Sequence, residues 1–325
     1  MYVFRPLLKQ TIWGGEAIAA FKNVETDLHS IGESWEISAV KDFLSVVADG
    51  KDEGKTIVDL LREQKENLVG KRVYARYGNT FPLLIKFIDA RQDLSIQVHP
   101  DDATAMRRHG TRGKTEMWFV VRAEEDSLIK VGFNQPVRKE DYNRMVEDHS
   151  ITKVLNEEEA QQGDVYFLPP GTVHSLGDGV FVAEIQETSD ITYRIYDYGR
   201  KDAQGREREL HTELAKDVID FNANCDHKIR YKEESDKRVE LVDCPLFTTN
   251  MIEATTAYHA DYKELDSFVV LMCMEGEATL TEHGAEGQEQ RNIRQGMTVL
   301  LPATSKGVEI VPEGRCRVLE TYIHA

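Results

Sequence analysis

Three short segments of the chain carry side chains that could share one metal ion. Gln97-Val-His99 places an amide and an imidazole at i and i+2, which on a strand means the same face. Glu116, in Lys114-Thr-Glu116-Met-Trp118, adds a carboxylate at the start of an apolar run. Gly163-Asp-Val-Tyr-Phe-Leu-Pro169-Pro-Gly171-Thr-Val-His174 reads G-x5-P-x-G-x2-H. Its Gly and Pro-x-Gly positions bound a short apolar run with a turn at each end, and the second turn returns His174 toward the interior. Two imidazoles, one carboxylate and an amide oxygen suit one Zn2+ per chain. With a single carboxylate the site carries a net charge of about +1, and a position stays open for Lewis-acid work. Gln97 is the weakest of the four, since a neutral amide is not among zinc's usual donors. Lys86 also stands out. An ammonium inside the apolar run 83–88 needs a partner or a wet cavity.

Strands have to position these residues. Short apolar, β-branched runs bounded by turn residues recur at 81–90, 94–99, 116–121, 127–133, 165–168, 180–186 and 191–196. Their close spacing predicts a mainly β sandwich or barrel rather than alternating βαβ units. Two stretches read as helices beside the β body: 56–68, with Ile57, Leu60, Leu61 and Leu68 near one face, and 139–156. Residues 199–236 are charged and broken by Gly199 and Gly205, with a third candidate helix over 210–221. The strand pattern then returns at 239–242, 268–274, 278–281, 298–302, 308–311 and 317–322. A metal-binding domain over 1–236 and a smaller β domain over 237–325 are therefore expected.

The 325 residues are 41% hydrophobic and 30% charged, which suits a globular protein with sizeable cores. Forty Lys and Arg against 57 Asp and Glu give a net charge of −17. A surface that acidic repels nucleic acid, although a metal and a few local cations can still hold a small anion in one cleft. No run is long and apolar enough to span a membrane. Cys225, Cys244, Cys273 and Cys316 form no C-x-x-C pair and read as reduced, buried thiols. The opening MYVFRP reaches Lys9 and Gln10 before any apolar signal core forms, so a cytoplasmic protein is expected.

The Gly163–His174 pattern resembles the second motif of the cupin superfamily, with Asp178 where an asparagine often stands. A more specific resemblance is carried by Thr11-Ile-Trp-Gly-Gly15, Gly32-Glu-Ser-Trp-Glu-Ile-Ser38 and Pro82-Leu-Leu-Ile-Lys86. Leu94-Ser-Ile-Gln-Val-His-Pro-Asp-Asp102, Gly113-Lys-Thr-Glu-Met-Trp118 and Pro170-Gly-Thr-Val-His174 extend it. Together they are similar to type I mannose-6-phosphate isomerases, in the short bacterial form, over about residues 5 to 200. The resemblance implies two cupin-like β-barrel or jelly-roll domains with a few helical insertions. It places the zinc ligands on Gln97, His99, Glu116 and His174, the active-site arginine on Arg194 and a catalytic lysine on Lys114. The activity implied is the interconversion of mannose 6-phosphate and fructose 6-phosphate through a cis-enediol. After Arg194 the segment Ile-Tyr-Asp-Tyr-Gly-Arg200 departs from the longer enzymes, leaving Arg200 and Lys86 as candidates for the phosphate. Glu184, on the 180–186 run, joins them as a substrate-side orienting group. The general base stays open between Lys114, a metal-held water and Glu184.

The last third looks like a cupin without its metal. Gly296-Met-Thr-Val-Leu-Leu-Pro302 repeats the G-x5-P spacing, but Thr304 and Gly307 stand where the glycine and histidine would be. His259 and His283 have no partners at ligand spacing. Two other classes compete for the first domain. Two His and one carboxylate also suit a non-haem iron oxygenase, which Gln97, Lys114 and Arg194 disfavour. A non-catalytic sugar-phosphate-binding cupin would keep the pocket without an acid/base group beside the metal.

Overall fold

The apolar runs of the first two thirds pair into two antiparallel sheets in the computed structural model, which describes residues 1–202, 204–223, 226–284 and 287–324. One sheet has seven strands, ordered Lys228–Ile229, Val165–Leu168, Glu116–Ala123, Val180–Glu187, Leu83–Asp89, Ile31–Ile37 and Leu7–Gly15. The other has five, ordered Leu155–Glu159, Leu128–Phe133, His174–Leu176, Ile96–Val98 and Tyr193–Tyr196. Strand alternation divides the seven-stranded sheet into two buried faces. Ile85, Phe87, Ala183, Ile185, Met117 and Phe119 enter a core shared with helix Ile57–Gln64 and with Met251, Phe268 and Leu319 of the last third. Ile88, Trp118, Val120 and Val182 enter a second core, shared with Ile129, Val131 and Leu176 of the five-stranded sheet. Register aligns Tyr166, Trp118, Glu184, Lys86 and Trp35 as neighbours across this second face.

The last third supplies seven strands of an eight-stranded antiparallel sheet built around Val269–Gly284 and Gly307–Tyr322. The first strand of the chain, Tyr2–Val3, adds to it beside Thr298–Leu301. Lys22 joins the two parts, donating to Glu36 at 2.7 Å and to the Gly296 carbonyl at 2.6 Å.

Several elements differ from expectation for identifiable reasons. The helix expected over 56–68 starts on a capping box between Thr56 and Asp59 but breaks at Lys65, whose φ is +52°, before a short turn Glu66–Val69. In 139–156 only Tyr142–Glu147 is α-helical; a 3-10 turn, Ser150–Val154, leads into the edge strand Leu155–Glu159. Pairing with Leu128–Phe133 there overrides helical propensity. The third helix is Thr212–Lys216. The runs 268–274 and 278–281 belong to one strand, bulged on either side of the paired Glu275-Gly276. Gly276 has φ +77°, and a Cβ there would lie 2.0 Å from the Arg315 carbonyl oxygen.

Cys244, Cys273 and Cys316 are free thiols, Cys244 only half-buried, and Cys225 lies outside the described residues. Among the described residues no helix is long and apolar enough to cross a membrane.

Candidate functional site

The four donors expected from spacing converge from both sheets. Gln97 and His174 are register partners on adjacent strands of the five-stranded sheet, and His99 lies just past the end of Ile96–Val98. Glu116 opens its strand in the opposing sheet. The ligand atoms of His99, Glu116 and His174 all lie within 4.8 Å of one another. His174 Nε2 is 3.2 Å from Glu116 Oε1, and His99 Nε2 is 3.7 Å from Oε2.

Both imidazoles are oriented from behind. His99 Nδ1 meets the Ile191 carbonyl at 2.8 Å and His174 Nδ1 meets the Thr172 carbonyl at 2.9 Å. An N–H donated there leaves each Nε2 lone pair facing the centre. Burial, reinforced by the Lys114 charge, lowers the His99 pKa well below its usual value and that of His174 to about 3, so both rings stay neutral. Burial also raises Glu116 to about 7, against the pull of Lys114. Glu116 Oε1 has no hydrogen-bond donor, and Oε2 has only the Lys114 ammonium. A fully buried carboxylate left in that state beside two imidazole lone pairs fits a divalent cation. Gln97 Nε2 faces His174 Nε2 at 3.4 Å, and a half-turn of the amide would put Oε1 in that place.

The cations are arranged around one further carboxylate. Lys114 Nζ lies 2.5 Å from Glu116 Oε2, 3.2 Å from His99 Nε2 and 3.8 Å from Glu184 Oε1. Lys86 Nζ lies 3.1 Å from Glu184 Oε1, and the Trp118 indole donates to Oε2 at 2.8 Å. Burial would raise Glu184, but Lys114, Lys86 and the indole together hold it at about 2, firmly ionised. Burial likewise opposes the Lys86 charge, yet Glu184, Glu33 and Glu116 outweigh it and its pKa rises. The lysine inside an apolar run thus has a carboxylate partner.

Arg194 is the register partner of Gln97, so His174, Gln97 and Arg194 are cross-strand neighbours on one face. The segment at 209–211 clamps it. Arg194 Nη1 donates to the Glu209 carbonyl at 2.8 Å, its N–H to His211 Nδ1 at 3.2 Å, and its carbonyl accepts the His211 N–H at 2.7 Å. Arg194 Nε is buried without a hydrogen-bond partner. Arg200 is engaged differently, bonded to Asp197 and to the Asp93 carbonyl. Arg208 grips the same Asp197 with Nε and Nη2, at 2.7 Å and 2.6 Å.

One continuous set of contacts therefore contains Gln97, His99, Glu116, His174, Lys114, Glu184 and Lys86. Two contributors are not evident from the sequence. Trp118 reads as core packing, although its i+2 spacing from Glu116 puts it on the same face. His211, in a polar segment, reads as solvated, and no local pattern marks its hold on Arg194.

The family described as phosphomannose isomerase type I, catalytic domain, matches residues 1–130. The chain is 34% identical to a mannose-6-phosphate isomerase of Bacillus subtilis, over 92% of each chain. It is 32% identical to one of Streptococcus mutans, over 92% of this chain and 91% of that one. The crystal structure of the mannose 6-phosphate isomerase from Bacillus subtilis superposes with a TM-score of 0.88 at 30% identity, covering 99% of each chain. With that similarity running through both parts of the fold and the donor set intact, this chain belongs to the type I mannose-6-phosphate isomerase family.

Proposed function

We propose that the protein interconverts mannose 6-phosphate and fructose 6-phosphate, moving a proton between C1 and C2 of the open-chain sugar through a cis-enediol. One observation carries the reading: the buried Glu116 carboxylate, with one oxygen lacking any donor and the Lys114 ammonium 2.5 Å from the other, faces two oriented imidazole lone pairs. That pairing of a metal site with an acid/base group is what isomerisation needs and mere sugar binding does not. Gln97, His99, Glu116 and His174 would hold one Zn2+ per chain, which when bound supplies Lewis acidity toward the sugar oxygens.

The remaining chemistry falls to the chain's own side chains. Lys114, beside both Glu116 and Glu184, is placed to hold and return a proton. Arg194 presents a planar fork with one unpartnered N–H, suited to the oxyanion of the enediolate. Glu184, Lys86 and Arg200 bind the substrate around these two: Glu184 as a fixed negative charge toward sugar hydroxyls, Lys86 from the same row of the sheet. Arg200 acts from the rim, where Asp197 fixes it. We read residues 1–236 as the catalytic domain and 237–325 as a metal-free relative of it, both cupin-like closed barrels. The free thiols are in keeping with a cytoplasmic site of action.

A coupled assay for fructose 6-phosphate, run on zinc-loaded and chelator-treated protein, tests this. Turnover lost with the zinc is expected. Tight binding of both sugar phosphates without turnover, in zinc-loaded protein, would leave a binding module only.

A further inference from the structure

The face that carries Lys86 and Glu184 does not end with them. Trp35 is the register partner of Lys86 on the next strand, and Lys9, on the outer strand Leu7–Gly15, pairs with Glu33 two residues before Trp35. Strand alternation puts Lys9, Glu33, Trp35, Lys86 and Glu184 on one face. The Lys9 ammonium stands 3.3 Å from the centre of the Trp35 ring, the ring that Lys86 approaches at 5.0 Å, and 3.7 Å from that of Phe43. Two strand spacings, about 10 Å, separate the Lys9 and Lys86 backbones, a span on the scale of a hexose phosphate.

Among the described residues no carboxylate lies within ion-pair distance of the Lys9 charge; Glu33 and Asp190 act on it from further away. Lys86, Lys114, Arg200 and Arg208 each have a carboxylate within 4 Å. Lys9 has neither a hydrogen bond nor an ion pair among the described residues. It opens onto a surface cleft of about 860 Å³ whose wall also includes Thr11, Trp13, Ser30, Glu33 and Arg208. The one carboxylate there, Glu33, is already held by the Trp35 indole N–H at 2.5 Å. Arg208 uses Nε and Nη2 on Asp197, and its Nη1 has no partner among the described residues. In a chain of net charge −17, an unpaired ammonium and a free guanidinium edge on one cleft are a local attraction for a dianion.

We infer that Lys9, with Arg208 on the wall of the same cleft, receives the phosphate group of the substrate, an inference that rests on the phosphosugar reading above. Lys86 and Arg200 then sit on the sugar side and the rim side of that phosphate. The aromatic pair under Lys9 excludes water from one side of the ammonium and holds it without neutralising it.

Lys9→Met keeps the methylene stem over Trp35 and removes only the charge. Binding of inorganic phosphate and of fructose 6-phosphate is measured by calorimetry, alongside kinetics with mannose 6-phosphate. Both dissociation constants and KM should rise about tenfold or more, as expected for losing a charge-assisted contact, while kcat changes little. Lys9→Arg should recover most of the affinity. If Lys9 were only a post for the aromatic pair, Lys9→Met would lower Tm and kcat and leave phosphate affinity at the wild-type value, which overturns the inference. If wild-type protein binds phosphate but turns over no sugar phosphate, the isomerase reading fails while the calorimetry still decides the role of Lys9.

Discussion

Glu116 and Glu320 are both fully buried carboxylates on central strands, one in the catalytic part of the fold and one in the last third. Their surroundings are opposite. Glu320 is saturated by its own chain: Arg238 Nε at 2.7 Å, Arg238 Nη2 at 2.9 Å, Asn250 at 3.0 Å and the Tyr262 hydroxyl at 2.7 Å. Glu116 Oε2 has the Lys114 ammonium beside it, but Oε1 has no donor and faces the neutral His174 ring, whose N–H is turned to the Thr172 carbonyl. Burial is common to both residues, so burial does not mark the functional one; unfilled acceptor capacity does.

The turns tell the same story. After Gly163 the G-x5-P turn delivers His174 to the centre, whereas the same count of residues from Gly296 reaches Gly307. A Cβ at Gly307 would lie 2.7 Å from the Ala260 carbonyl oxygen, because Tyr258–Asp261 pairs closely with that strand. The Ala260 backbone occupies the space that a side chain at Gly307 would need. His259 and His283 remain nearby with ring centres 5.7 Å apart, and no carboxylate joins them in a ligand cluster among the described residues.

The contrast can be broken most directly at its ends. His174→Ala should lose stoichiometric zinc, read by elemental analysis, and with it all measurable turnover. A zinc-free His174→Ala protein with full activity would remove the metal from the account. Glu320→Gln should do the reverse. Removing one partner of a buried ion pair costs about 3–5 kcal/mol, seen as a large drop in Tm, while zinc content stays at the wild-type value. If Glu320→Gln instead shed zinc without losing stability, the two carboxylates would have been assigned the wrong way round.

Arg194→Ala tests whether the unpartnered N–H matters. Loss of an oxyanion partner in a buried cleft costs about 3 kcal/mol, roughly a hundredfold in turnover. Zinc content and Tm should hold, since Arg194 is neither ligand nor core. Wild-type turnover by a zinc-loaded Arg194→Ala protein would withdraw its role.

Much of this site is legible in the sequence because its donors lie on strands, where spacing maps directly onto faces. Gln97-x-His99 and the turn before His174 give three donors from local pattern alone, and Glu116 follows from opening an apolar run. What depends on register between distant strands is not legible. That Glu184 lies between Lys86 and Trp118, or that Lys9 shares a ring with Lys86, follows from pairings across the sheet that no local window contains. Helix limits fail for a related reason: the 139–156 pattern is amphipathic enough for a helix, but an open edge at Leu128–Phe133 takes its second half as a strand.

Glu187 sharpens the comparison as an intermediate case. One oxygen accepts the Thr115 N–H at 2.9 Å, and the other is buried without a partner, yet no imidazole faces it. Burial, with Asp102 adding to it, raises its pKa to about 7 from 4.5. The folded state therefore holds a proton that the unfolded chain releases above about pH 4.5. Stability should fall as pH rises from 4.5 through 7 and level off beyond. Glu187→Gln mimics the protonated form, keeps an acceptor for Thr115 and removes this dependence. At pH 8 and equal zinc content the variant should be more stable by about 3 kcal/mol, with the difference narrowing toward pH 4.5. Titrating groups away from Glu187 act on both proteins alike and cancel in the difference, while Asp102, whose charge opposes that of Glu187, is relieved along with it. A Glu187→Gln protein no more stable than wild type at pH 8 would mean that the open oxygen of Glu187, like Glu116 Oε1, is kept for a partner.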